Sequence, residues 1–145
     1  MKRMKAKSRP RRRTEHAYVL DAYKRLRALG IPSRREAPLL GRSVDLVYFH
    51  DGDVITVEFK LRNWRRAIGQ ARDHRIGGDY SFICLPRVNV SAELEAEAKR
   101  TGVGLYFFLD EAAWPFITAI NASRSTIVSP FARDSLSSLL DAESI

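Results

Sequence analysis

Cysteine is nearly missing from this 145-residue chain: a single residue, Cys84, stands in the apolar run Tyr80-Ser81-Phe82-Ile83-Cys84-Leu85. One thiol builds neither a disulfide framework nor a cysteine-rich zinc site, so Cys84 is expected as a small buried hydrophobe. A reducing, intracellular compartment fits. Long hydrophobic runs are missing too, since no stretch approaches the roughly 18–20 apolar residues that cross a membrane. The basic N-terminus is followed by no apolar segment of the kind a secretory signal needs. These absences point to a cytoplasmic protein without a membrane partner. Internal repeats are absent as well, and the length fits one domain around a single core.

Acids are missing from the first thirteen residues, where Lys2, Arg3, Lys5, Lys7, Arg9, Arg11, Arg12 and Arg13 are eight cations without a counter-charge. Setting these aside leaves 17 of the 25 Lys and Arg, equal to the 17 Asp and Glu, so the net charge of +8 sits on the tail and the body is neutral on average. A proline, and no larger apolar residue after Met4, predict a tail (residues 1–13) that is disordered when free, ahead of one domain over 14–145. Two readings of the tail stand: a solubilising terminus, or an arm that lies on phosphates and releases counterions. No amphipathic apolar face accompanies the tail to suit a membrane surface.

What is present is patterned. Thr14 is placed to cap a helix running to about Leu29, with Val19, Ala22, Tyr23 and Leu26 at helical spacing and Gly30-Ile31-Pro32 as its stop. Glu15, four residues before Val19, shares that inward stripe; it is either a first-turn acid favoured by the helix dipole or a carboxylate pointed at a site. An extended stretch over 34–40 precedes strands over 43–49 and 53–61, joined by the turn residues Asp51-Gly52. A helix follows over 63–76, with Trp64, Ile68 and Ala71 on its buried side and Asn63, Ala67, Gln70 and His74 on the neighbouring one. A doubly buried strand over 80–85, a Ser91-capped helix ending at Gly102 and an apolar strand over 103–109 come next. Residues 116–120 and 126–128 read as short strands, and 135–140 as a short helix. The order predicts an α/β fold, a mixed central sheet flanked by helices.

Asp45 stands inside the otherwise apolar strand Val44-Asp45-Leu46-Val47-Tyr48-Phe49, where a carboxylate is costly unless a partner or metal compensates it. In the next strand Ile55, Val57, Phe59 and Leu61 take one face, and Thr56, Glu58 and Lys60 the other. Two residues along a strand span about 6.6 Å, so Glu58 and Lys60 project side by side. Two carboxylates, a lysine and a phosphate-seeking tail suggest metal-dependent phosphodiester hydrolysis. Mg²⁺ takes one or two carboxylates plus waters and phosphate oxygens, and lysine offsets developing charge or handles the nucleophile. The bland readings are Asp45 paired to Arg42 within the hairpin, and Glu58 with Lys60 on a solvated strand face.

The order Glu15, Asp45, Glu58-Phe59-Lys60, Gln70 resembles the PD-(D/E)xK nuclease superfamily, with its restriction-endonuclease-like fold. The segments Gly41-Arg42-Ser43-Val44-Asp45-Leu46-Val47, Val54-Ile55-Thr56-Val57-Glu58-Phe59-Lys60, Ala67-Ile68-Gly69-Gln70-Ala71 and Gly102-Val103-Gly104-Leu105-Tyr106 carry it, over residues 14–109. Size and layout are similar to the small archaeal-type Holliday junction resolvases. The resemblance implies a Mg²⁺-dependent DNA endonuclease in which Mn²⁺ can substitute. Asp45 and Glu58 would be metal ligands, joined by the Phe59 carbonyl and by Glu15. Lys60 would be the catalytic lysine, and Gln70 would orient water or substrate. The proline that names the family is replaced by Val44, a common departure. An isolated D-x(n)-E-x-K has little weight; the weight here comes from placing it in two strands joined by a turn.

Arg62, Arg65, Arg66 and Arg72, with Arg75, could grip a DNA backbone or form a charged outer helix face; Arg11, Arg12 and Arg13 would extend that grip from the tail. Glu36 reads as an exposed edge acid, His74 as an ordinary half-buried histidine, and Trp64 as core; Ser43 is a minor candidate for substrate contact. Branched DNA such as a four-way junction would require two coordinated cuts and hence a homodimer, with 112–120 and 131–140 as interface candidates. The rivals are a non-catalytic nucleic-acid-binding protein of the same fold and a restriction or mobile-element nuclease.

Overall fold

The computed structural model describes residues 13–143. Thr14 caps α1 (Glu15–Ala28), its side chain accepting the Ala17 N–H at 3.1 Å and so satisfying one of the free donors of the first turn. Six strands follow: β1 (Ser33–Leu39), β2 (Arg42–His50), β3 (Asp53–Phe59), β4 (Tyr80–Leu85), β5 (Gly104–Phe108) and β6 (Phe116–Ile120). They lie side by side in chain order. The first three pair antiparallel, β3–β4 and β4–β5 parallel, and β5–β6 antiparallel. The parallel steps need crossovers, which α2 (Trp64–His74) and α3 (Ala92–Thr101) supply. A last helix, α4 (Pro130–Glu143), returns to β1 and β2. The fold is α/β: a mixed sheet with four helices.

Alternation along the strands sorts the core. Leu46, Tyr48, Val57, Phe59, Phe82 and Cys84 pack with Val19, Ala22 and Leu26 of α1 on one face. Ile83, Leu85 and Leu105 meet α2 and α3 on the other, where Val44, Val47 and Val54 meet Ala132, Leu136 and Leu140 of α4. Burying α4's stripe there gives those residues a role in the core of their own chain, although they were interface candidates; Phe131 remains 72% exposed. Residues 126–128 form no strand, and the helix expected over 135–140 is longer. Among the described residues no helix is long and apolar enough to cross a membrane.

The second face of β3 differs from the solvated reading. Thr56 is buried and hydrogen-bonds Ser81 at 2.7 Å, and Glu58 is 5% exposed. The strand ends at Phe59, so Lys60 follows it, with its own N–H on the Cys84 carbonyl at 3.0 Å.

Candidate active site

The site lies where the β2–β3 ladder opens. Pairing runs as far as Leu46↔Val57, and the next residues in that register, Asp45 and Glu58, stand outside it. Each carboxylate takes the other strand's backbone instead. The Asp45 N–H donates to Glu58 Oε2 at 3.0 Å, and the Phe59 N–H donates to Asp45 Oδ2 at 2.9 Å. Side-chain bonds thus replace ladder bonds and fix both acids at the opening. On β2's other side the register joins Arg35 to Leu46 and Ala37 to Val44 but skips the position between, Glu36 opposite Asp45. Glu36 is exposed there with a left-handed φ of 51°.

Burial, then the Asp45 charge, push the Glu58 carboxyl from 4.5 up to about 8. Asp45 is also raised, mainly by burial, against the pull of the Phe59 N–H bond. Adjacent carboxyls in so dry a place resist ionising together, which is why both are raised. Two flanking charges act on the pair. Lys60 favours ionisation of both acids, and Glu15 opposes that of Asp45. Glu15 is fixed by accepting the Leu61 N–H at 3.0 Å, and with Lys60 and Leu61 it lines a small recess against Tyr18, Phe59 and Phe108. The first turn of α1, the end of β3 and the open end of the β2–β3 hairpin therefore meet at one place.

From α2 the structure brings to the pair a residue that the sequence reads as an ordinary half-buried histidine. His74 is 3% exposed, its Nδ1 lies 3.4 Å from Glu58 Oε2, and that nitrogen has no hydrogen-bond partner. Burial lowers its pKa from 6.5 to about 4, so the ring is neutral at physiological pH. Its one sequence signal was its place four residues after Gln70, on the same helix stripe. Gln70 itself is half-buried one turn earlier. Arg42, offered as a bland partner for Asp45, instead reaches Asp73 at 2.6 Å.

The candidate nucleic-acid contacts divide by their partners. Arg62 and Arg66 are exposed beside the end of β3 and the start of α2. Arg65 pairs with Glu93, and Arg72 lies 3.6 Å from Asp73. Arg13 is held to the body by Asp21 at 2.8 Å and Asp110 at 3.3 Å, with its guanidinium 4.3 Å from the Tyr18 ring centre. Arg11 and Arg12 lie outside the described residues.

Among the described residues no three His, Cys, Asp or Glu side chains stand together at metal-ligating spacing. A Mg²⁺-type ion asks for less, since it commonly keeps several waters and takes one or two carboxylates. Asp45 and Glu58 provide that hard-oxygen pair. The donor set fits a divalent ion held mainly by oxygen.

No protein-family model matches the chain, and no curated protein matches it. Among solved structures it is similar to a protein of unknown function, AF1548, at 17% identity and a TM-score of 0.50, over 64% of this chain and 57% of that one. It is also similar to SfsA of Pyrococcus furiosus, solved in complex with Ca²⁺, at 20% identity and a TM-score of 0.39, over 74% and 62% of the two chains. The chain matches less than two thirds of the length of either. The first likeness supports the α/β fold.

Proposed function

We propose that this chain is a metal-dependent endonuclease that hydrolyses DNA phosphodiester bonds, built on the PD-(D/E)xK pattern its sequence resembles. The observation that carries the reading is the Asp45–Glu58 pair, held at the opening of the β2–β3 ladder with Lys60 one residue beyond the strand. Mg²⁺, or Mn²⁺ in its place, would supply Lewis acidity toward the phosphoryl group and make water a stronger nucleophile. Asp45 and Glu58 would hold that ion, with Glu15 and the Phe59 backbone beside them. The Lys60 ammonium offsets charge gathering on the phosphoryl oxygens and orients the attacking water. Gln70, half-buried on α2, would orient water or substrate. Arg62 and Arg66 take neighbouring phosphates, and the basic residues 1–13 extend that hold along the backbone. Branched DNA is the substrate class placed first, and two coordinated cuts at a four-way junction would require a homodimer.

The test is cleavage of linear duplex, single-stranded, flap and four-way-junction DNA with Mg²⁺ or Mn²⁺, by the protein and by Glu58→Ala and Lys60→Ala. Metal-dependent cutting lost in both variants is expected, and the preferred substrate separates a resolvase from a general nuclease. Intact, salt-sensitive binding with no cut on any substrate would replace the reading with a non-catalytic binding protein of the same fold.

A further inference from the structure

We propose that the groove beside the acid pair is a subsite for one unstacked nucleobase of the DNA strand that the pair cuts. The inference rests on the nuclease reading above and specifies which DNA its site prefers. The groove lies between the β1–β2 turn and the C-terminal end of α2 and has a volume of about 390 Å³, the size of pockets that take small organic ligands. Its walls are aliphatic, from Leu39, Leu40, Ile76 and Ile127. His74 lines it as well, and the same ring lies 3.4 Å from Glu58 Oε2. One side chain therefore separates the groove from the carboxylates, so a strand lying on the pair continues over the groove.

The lining selects a nucleotide. Leu40 and Ile127 are 57% and 54% exposed, so the fold leaves aliphatic surface open to solvent on both sides of the groove. Leu40 is also an unusual residue for its place, the tip of the β1–β2 turn at φ 49°, where Asn or Asp is the common choice. The turn explains the φ but not the leucine. An apolar side chain there suits the face of a base that has left its stack. Arg42 and Arg72 lie 2.6 and 3.6 Å from Asp73 at the groove's edge. One carboxylate does not use up the donors of two guanidinium groups, so both also hold phosphates on either side of the base. Extruding a base from intact duplex costs stacking and pairing that a flap or branch has already lost. The groove therefore favours DNA with an unpaired base beside the cut.

The probe is flap DNA carrying 2-aminopurine at successive positions around the branch, bound by the full chain with a chelator present so that nothing is cut. At one position the fluorescence should rise on binding, as the base leaves its stack for an aliphatic slot. Leu40→Asn with Ile127→Ser removes two walls, and asparagine suits the turn better than leucine does. In that variant the rise should vanish and the preference for flap over continuous duplex should fall about tenfold, the effect of losing roughly one buried aliphatic contact. Affinity for continuous duplex should stay the same. No rise at any position with the unaltered protein overturns the subsite, whether or not the variant folds. A rise that persists in a folded variant overturns it too, as does an equal loss of affinity for both DNAs. Dimers of the free protein that dissociate in the variant would make this face an interface between copies and likewise overturn it. An extruded base on a protein that cuts no DNA with Mg²⁺ or Mn²⁺ upholds the subsite and refutes the nuclease function; cutting without extrusion refutes the subsite alone.

Discussion

Glu58→Gln should make the metal-free protein more stable at alkaline pH and flatten its pH dependence. The folded state holds the Glu58 proton up to about pH 8, whereas the unfolded chain releases it near 4.5. Stability from this group is therefore complete below pH 4.5 and is lost as pH rises toward 8. His74 works in the opposite sense: its pKa falls from 6.5 to about 4 on folding, so its contribution is present above pH 6.5 and lost as pH drops. Between pH 4.5 and 6.5 the two slopes oppose each other. From pH 6.5 to 8 Glu58 acts without that opposition, and one proton over one and a half pH units is worth about 2 kcal/mol. Glutamine keeps an oxygen for the Asp45 N–H and an N–H for the Asp45 carboxylate, so the crossed bonds survive without the buried charge. Urea unfolding at the two ends of that window, with a chelator present, measures the effect. The stability difference between variant and parent should widen by about 2 kcal/mol toward the alkaline end. An unchanged difference would mean that Glu58 ionises in the fold as readily as in the open chain, and the account of a buried pair that resists ionising would be wrong.

Asp79 accepts the Val54 N–H at 2.8 Å and pairs with Arg133 at 2.9 Å, so Asp79→Ala strands a buried donor and a cation and should cost about 3 kcal/mol in chemical denaturation. Bonding to Arg133 and Val54 holds that carboxyl below 3.8 despite burial, so its stabilising contribution should persist as pH falls until the pH passes below that value. Gly102 ends α3 at φ 79°, and an added Cβ would come 2.8 Å from the Arg75 guanidinium; Gly102→Ala should lower stability by about 1 kcal/mol or more in a thermal melt. Arg62→Ala and Arg66→Ala should each reduce the slope of log affinity for duplex DNA against log salt by about 1, and an unchanged slope would remove them from the phosphate surface.

Local signals were read well where the determinants are local. Thr14, Ser91 and Gly102 cap their helices as side-chain chemistry dictates, and alternation over 53–59 placed Ile55, Val57 and Phe59 on the face that meets α1. What the sequence leaves open depends on partners far along the chain. The rival reading of Glu58 and Lys60 as a solvated strand face fails at Glu58, because β4 and α2 cover that face, with Ser81 on Thr56 and His74 beside Glu58. The rival pairing of Asp45 with Arg42, three residues away, fails because Asp73 takes Arg42 from α2. His74 looked ordinary because its meaning is its distance to one oxygen. The length of α4 was missed because its apolar residues are sparse, and they become a buried stripe only against β1 and β2.

The irregularities of the backbone bear on the same site. Four non-glycine residues have left-handed φ: Glu36, Leu40, Asp51 and Asn63. Leu40 and Asp51 precede Gly41 and Gly52, which are also positive, and two successive positive φ values are what a two-residue I′ hairpin turn requires. Turn geometry accounts for that pair. Glu36 and Asn63 have no such explanation. The first stands in register opposite Asp45; the second, three residues past Lys60, starts α2 without a side-chain cap. Strain of this kind costs on the order of 1–3 kcal/mol per residue and persists only where surrounding structure enforces it. Here it lies at both ends of one constellation, along with the interrupted ladder, the buried Glu58 and the unpartnered His74 nitrogen. A fold selected for stability alone would close the ladder across positions 45 and 58 with two β-branched residues. That this chain keeps the opening, and concentrates its departures from regular geometry around it, is the strongest physical argument that Asp45 and Glu58 are there for chemistry.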